Sequence, residues 1–217
     1  DQGLLGEVYR IESRVEGSRG MPKGWRTLKD LGGGMLYDWG VHLIDQILFM
    51  QNDLVTSVYC QLLNLEYPEV DDNFHLQLTF ESGLVAQIEV ATNNYIPHPR
   101  WYVLGTQGSL QIEDWDCSGQ LVRVLDPNQS WEHEIVYTKA GPTKTMAPRR
   151  PESIETIKLH EPLELIDHLS VVYENFTKAI KGEEALAITP SQALRVLKVM
   201  EAAFLASKTK QIIHCCI

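Results

Sequence analysis

Hydrophobic and polar positions alternate most regularly between residues 73 and 92. Phe74, Leu76, Leu78 and Phe80 fall on one side of an extended segment, and His75, Gln77 and Thr79 on the other. This is the period-2 pattern of a strand with one buried face. Glu81-Ser82-Gly83 is a tight-turn sequence, and Leu84 to Thr92 returns with Leu84, Ala86, Ile88 and Val90 in phase. The two segments therefore form a hairpin. Further strands are expected at Leu5 to Val15, Ser57 to Leu65, Trp101 to Gly105, Ser109 to Glu113, Leu121 to Leu125, Glu134 to Tyr137 and Ile154 to Leu159. Ala140 to Pro151, with its prolines and basic residues, reads as a mobile loop.

The period lengthens to that of a helix in three places. Met35 to Met50 follows the break at Gly32-Gly33-Gly34. Pro162 to Lys181 places Leu163, Ile166, Leu169, Val172 or Tyr173, Phe176 and Ile180 at helical spacing, and Gly182 suits its exit. Thr189-Pro190-Ser191-Gln192 is a capping box with Pro at the first helical position. Ala193, Val196, Leu197, Met200 and Phe204 form the expected buried stripe behind it. Hairpin-connected strands with helices grouped toward the chain ends predict an α+β domain: a large, mostly antiparallel open sheet covered on one face by helices. The other face would carry His75, Gln77, Thr79, Gln87 and Glu89, with Val85 and Ala91 between them. Such a face either meets water or forms the flat contact of a homo-oligomer.

Composition narrows the partners. The 217 residues are 44% apolar and 22% charged, enough for one packed core or two small ones. A formal net charge of −10 argues against nucleic acid and against an anionic membrane surface. No apolar run approaches the roughly 20 residues of a membrane span, and no charged-then-apolar leader opens the chain. The chain starts at Asp1 rather than Met, as a piece of a longer protein would. Cys60, Cys117, Cys215 and Cys216 make no CxxC pair and no zinc-ligand spacing, which fits a reduced, cytoplasmic setting.

The chemistry concentrates in Gly32-Gly33-Gly34-Met35-Leu36-Tyr37-Asp38-Trp39-Gly40-Val41-His42-Leu43-Ile44-Asp45. On a helix at about 100° per residue, Asp38, His42 and Asp45 fall within about 60° of one another. Leu36, Leu43 and Ile47 lie opposite, with Ile44 nearby. One face is core, and the other presents two carboxylates and an imidazole. Asp38 and His42 are four apart and hence neighbours, and a carboxylate beside an imidazole tunes its basicity and orientation. His42 could take the proton of an alcohol as a hydride leaves the carbon, with Asp38 orienting the ring or the hydroxyl. The same spacing also suits a surface ion pair or a satisfied structural histidine. A divalent metal held by Asp38, His42 and Asp45 is a third reading, although the ligand set of an H-E-x-x-H site is missing.

This segment resembles the signature of the Gfo/Idh/MocA family of oxidoreductases (glucose-fructose oxidoreductase, inositol dehydrogenase and relatives). Gly3-Leu4-Leu5-Gly6-Glu7-Val8, Trp25-Arg26, Asp72-Asn73, Glu81-Ser82-Gly83, Gly105-Thr106-Gln107-Gly108-Ser109-Leu110 and Ala206-Ser207 are similar to other landmarks of that family. The resemblance implies the C-terminal domain of glucose-fructose-oxidoreductase-like proteins, which supplies substrate contacts and the oligomer interface. It implies His42 as acid/base, Asp38 as its partner, and Trp25, Arg26 and Asp45 as candidate substrate contacts, with Asp45 equally suited to be a structural acceptor. Substrates would be sugars, cyclitols or related polyols. NAD or NADP would belong to the full-length protein. No G-x-G-x-x-G opens a βαβ unit here, and the family's Glu-Lys-Pro motif is also absent. The expectation is a substrate-binding and oligomerisation half whose N-terminal Rossmann domain lies outside this chain. Alone it would bind no cofactor tightly and turn nothing over, and in the full-length protein it would assemble as a homo-dimer or tetramer through the open sheet face. The alternative is a non-catalytic binding or assembly module of the same fold.

Overall fold

Strand alternation carries through to a single tertiary register. The computed structural model describes residues 3–130, 135–143, 148–160 and 168–217. Its main sheet has nine strands, ordered β10-β7-β6-β5-β1-β4-β3-β2-β11. They are β1 (Val8–Glu16), β2 (Val55–Leu63), β3 (Asn73–Phe80), β4 (Val85–Ala91), β5 (Trp101–Gly105), β6 (Gly108–Ile112), β7 (Gly119–Val124), β10 (Ile154–Leu159) and β11 (Ile213–His214). Every pairing is antiparallel except β1 with β4.

One transverse row shows the logic of the two faces. Ile157, Leu121, Leu110, Val103, Ile11, Ala86, Leu78, Val58 and Ile213 are successive cross-strand partners across all nine strands. The row one residue along reads Lys158, Gln120, Gln111, Tyr102, Glu12, Gln87, Gln77 and Tyr59. A slip of one residue would exchange these rows, so burial of the apolar one pins the register.

Helices α1 (Val41–Met50) and α3 (Pro190–Thr209) pack over the β2–β4 part of the apolar face. Leu43, Ile44 and Ile47 from α1, with Val199, Ala203 and Ala206 from α3, are fully buried there against Phe74, Leu76, Leu78 and Phe80. The large open sheet with helices on one face is thus the α+β architecture the pattern predicts.

Four local features differ from the expectation. Met35 to Met50 is not one α-helix: Leu36–Gly40 forms a wider π-turn that leads into α1. Gly40 sits against Leu36 and Phe74, and a Cβ there would press on both side chains. The buried stripe of α3 runs through Val196, Val199, Met200, Ala203 and Ala206, while Ala193 and Leu197 face outward. Val196 and Met200 are buried as expected and Phe204 is half-buried, while the small Ala202, Ala203 and Ala206 complete the face against the sheet. Part of the expected loop at 140–151 is ordered: β9 (Gly141–Thr143) pairs with β8 (Val136–Thr138) in a small hairpin. Residues 144–147 and Glu134 lie outside the described residues. The short β11 carries too little pattern to be seen in the sequence.

The helix expected from Pro162 is described from His168 as α2 (His168–Ile180), and Leu163 and Ile166 lie outside the described residues. Its Val172, Tyr173, Phe176 and Ile180 are exposed.

Candidate active site

The one parallel pair among the described residues, β1 with β4, positions the site. Because β1 and β4 run the same way, their C-terminal ends open on one edge, where Gly17 N donates to Ala91 O and Gly20 N to Thr92 O, both at 2.8 Å. The glycine segment and the π-turn lie across this edge. Beside the π-turn opens a cavity of about 390 Å³ lined by Glu16, Gly17, Arg26, Asp38, Trp39 and Thr92, among others.

The glycines are required by close approach. Gly33 N donates to Leu28 O at 3.0 Å and Gly34 N to Arg26 O at 2.9 Å. A Cβ on Gly33 would collide with the Arg26 carbonyl, and Gly34 adopts φ 114° against Asp71. Asp71, on the connection into β3, then fixes the start of the π-turn. Its carbonyl accepts Met35 N at 2.9 Å and its carboxylate accepts Leu36 N at 2.7 Å. Burial pushes the Asp71 carboxyl up to about 6, against the opposing pull of these N–H donors. The adjacent Asp72 ends lower than an ordinary carboxyl: burial raises it, but the amides of Glu66, Leu65 and Tyr67 and the Asn73 side chain outweigh that effect.

Of the residues singled out from the sequence, Arg26 and Asp38 meet directly. Arg26 Nε donates to Asp38 Oδ2 at 2.7 Å, and its guanidinium also lies 4.7 Å from the centre of the half-exposed Trp25 ring. No other hydrogen bond reaches the Asp38 carboxylate among the described residues, so its second oxygen is available. His42 is exposed one turn further on, its ring edge-on to Trp39 at 5.9 Å between centres. No hydrogen bond joins Asp38 to His42 among the described residues. The π-turn widens the spacing that a regular α-helix would give the pair. Asp45 is exposed and lines a separate cavity of about 280 Å³ with Gln46 and Arg195.

Glu16, Trp39 and Asp71 belong to this site and were not singled out from the sequence. Trp39 stood inside the motif without a chemical reason to notice it. Glu16 and Asp71 reach the site only through tertiary contacts. Among the described residues, no group of three or more His, Cys, Asp or Glu side chains could hold a metal ion. The glycine segment does not fit a nucleotide pyrophosphate either: the amides of Gly33, Gly34, Met35 and Leu36 are all taken by acceptors within the chain, one of them a carboxylate. No helix among the described residues is long and apolar enough to cross a membrane.

An α+β open-sheet domain with a polar cleft at the end of its one parallel strand pair is the class that fold and site define. The family description "GFO/IDH/MocA C-terminal domain" matches residues 1–111, and the chain belongs to the Gfo/Idh/MocA family. A solved NAD-binding protein from Listeria innocua is 42% identical with a TM-score of 0.89, over 99% of this chain and 61% of that one. An uncharacterized oxidoreductase of Schizosaccharomyces pombe is 26% identical over 96% of this chain and 60% of its own length. The scyllo-inositol 2-dehydrogenase (NADP(+)) of Bacillus subtilis is 26% identical over 87% of this chain and 51% of its own length. The chain therefore spans about half to three fifths of the length of these relatives.

Proposed function

We propose that this chain is the substrate-binding and oligomerisation half of an NAD(P)-dependent dehydrogenase that oxidises a hydroxyl of a sugar, cyclitol or related polyol. The observation that carries this reading is the Asp38–Arg26 pair in a cleft beside Trp39 and His42. Arg26 holds one carboxylate oxygen and leaves the other to accept a substrate hydroxyl or the His42 imidazole. In this reading His42 takes the hydroxyl proton as the C–H bond breaks and a carbonyl forms. NAD(P), held by the remainder of the longer protein, would accept the departing hydride. Trp39 offers an apolar face to the ring C–H groups, and Arg26, stacked on Trp25 (itself outside the cavity lining), orients a hydroxyl. The scyllo-inositol dehydrogenase among the relatives supports a cyclitol-like substrate.

The open sheet face supports assembly with further copies. Glu12 lies in its middle, only 7% exposed, bonded to both Arg10 and Arg14, while Arg14 also meets Glu89. Such alternating charges can match their own copy across a two-fold axis.

A second reading, a binding or assembly module without turnover, is favoured by one observation: Asp38 and His42 share no hydrogen bond. The two separate in one assay. The longer protein, mixed with NAD or NADP and a panel of polyols and cyclitols, is expected to produce reduced nicotinamide, and this chain alone none. Reduction by the isolated chain, or none by the longer protein, contradicts the dehydrogenase reading.

A further inference from the structure

A second cavity of about 360 Å³ adjoins the first, at the end of β1 and beside the segment leading into β5. The two share Val15 and Glu16 as a common wall. The Glu16 carboxylate, almost fully covered, accepts His98 N at 2.8 Å and meets His98 Nδ1 at 2.9 Å, so the wall is fixed. Each cavity alone lies near the lower end of the roughly 300–1,000 Å³ range of small-molecule sites, and the two together lie in its upper part.

Donors and acceptors are mixed around the second cavity: Arg14, His98 and Arg100 against Glu113 and Asp114. Arg14 is held by Glu12 and Glu89, and His98 by Glu16. Arg100 differs. It forms no ion pair among the described residues, and its Nε is buried with no acceptor. Its guanidinium carbon lies 3.7 Å from the centre of the Trp115 ring. Burial lowers the basicity of Arg100, the mark of a cation deprived of water without a full replacement. Trp115 remains half exposed, and its ring lies 5.6 Å from that of Trp39, the residue that touches His42. Indole surface thus continues from the second cavity to the imidazole.

An anion would gain from Arg100 but meet Glu16, Glu113 and Asp114 at the same wall. A neutral polyhydroxylated ring suits the mixture better, because each hydroxyl both donates and accepts, and the C–H face packs on an indole. We propose that the second cavity is a subsite for an additional sugar ring, so that the substrate is a glycoside whose terminal ring occupies the Asp38 cavity. This rests on the reading of the Asp38 cavity as a polyol site.

Calorimetric titration of the longer protein with glucose against cellobiose, and inositol against galactinol, tests it. At least one two-ring probe is expected to bind about tenfold tighter than its single ring. Arg100→Met and Trp115→Ala, each checked for native circular dichroism, should remove that advantage and leave single-ring affinity unchanged. Equal affinity of both pairs overturns the proposal, as does an advantage that survives both variants. Asp38→Asn separates the two readings: it should weaken single rings, and unimpaired binding of them there sinks the polyol site while the two-ring advantage is still read independently. Absence of binding by every probe overturns both.

Discussion

Asp71 joins the fold to the chemistry, because its carboxylate holds the first turn of the segment that carries Asp38. It is 5% exposed, and its value of about 6 lies above the ordinary carboxyl range near 3.9. The native chain therefore binds more protons than the unfolded chain between about pH 4 and 6. The associated stability is fully present below pH 4 and is lost as pH rises through about 6. Asp71→Asn keeps an acceptor for Leu36 N and removes the titration. Urea unfolding should show the wild type losing about 2 kcal/mol relative to Asp71→Asn between pH 4 and 7. A pH-independent difference would show that the carboxyl is not perturbed by burial. Asp38 and His42 were legible in the sequence because their spacing is local, and Arg26 only through the family resemblance. Asp71 and Glu16 were not: two acidic residues among 29 look like ordinary surface charge until the fold covers them.

At the scale of elements, local signals held where all their terms lie within one turn. The capping box forms as read: Thr189 Oγ1 accepts Gln192 N at 3.3 Å, and Gln192 Oε1 accepts Thr189 N at 2.7 Å. Thr189→Ala should cost about 1 kcal/mol, seen as a lower urea midpoint with unchanged slope. No shift would mean that α3 is held by packing alone. Strands β3, β5 and β10 keep the limits the alternation predicts, since one face of each is apolar. The π-turn was illegible because it depends on Gly40 lying against Leu36 and Phe74, a contact across elements. Of the α3 stripe, Val196 and Met200 are buried as read and Phe204 packs against the core. Ala193 and Leu197 are exposed, and Val199, Ala202, Ala203 and Ala206 take the buried positions, because small side chains can be fully covered without standing out in a hydrophobic pattern.

Across the whole molecule, the antiparallel class was legible from hairpin spacing, but the strand order was not. β1 lies between β4 and β5 and makes the only parallel pair among the described residues, a choice made by contacts some 75 residues apart in the chain. That choice brings the ends of β1 and β4 to the edge where the Asp38 cleft opens. The fold places a carboxylate, a guanidinium and an indole in that cleft and an imidazole beside it, and the account stands on that imidazole moving a proton. The most direct measurement is His42→Ala in the longer protein, with steady-state turnover and cofactor affinity determined together. A fall in kcat of about 10² to 10⁴ with cofactor affinity nearly unchanged is the predicted result. Turnover equal to that of the wild type would contradict the account.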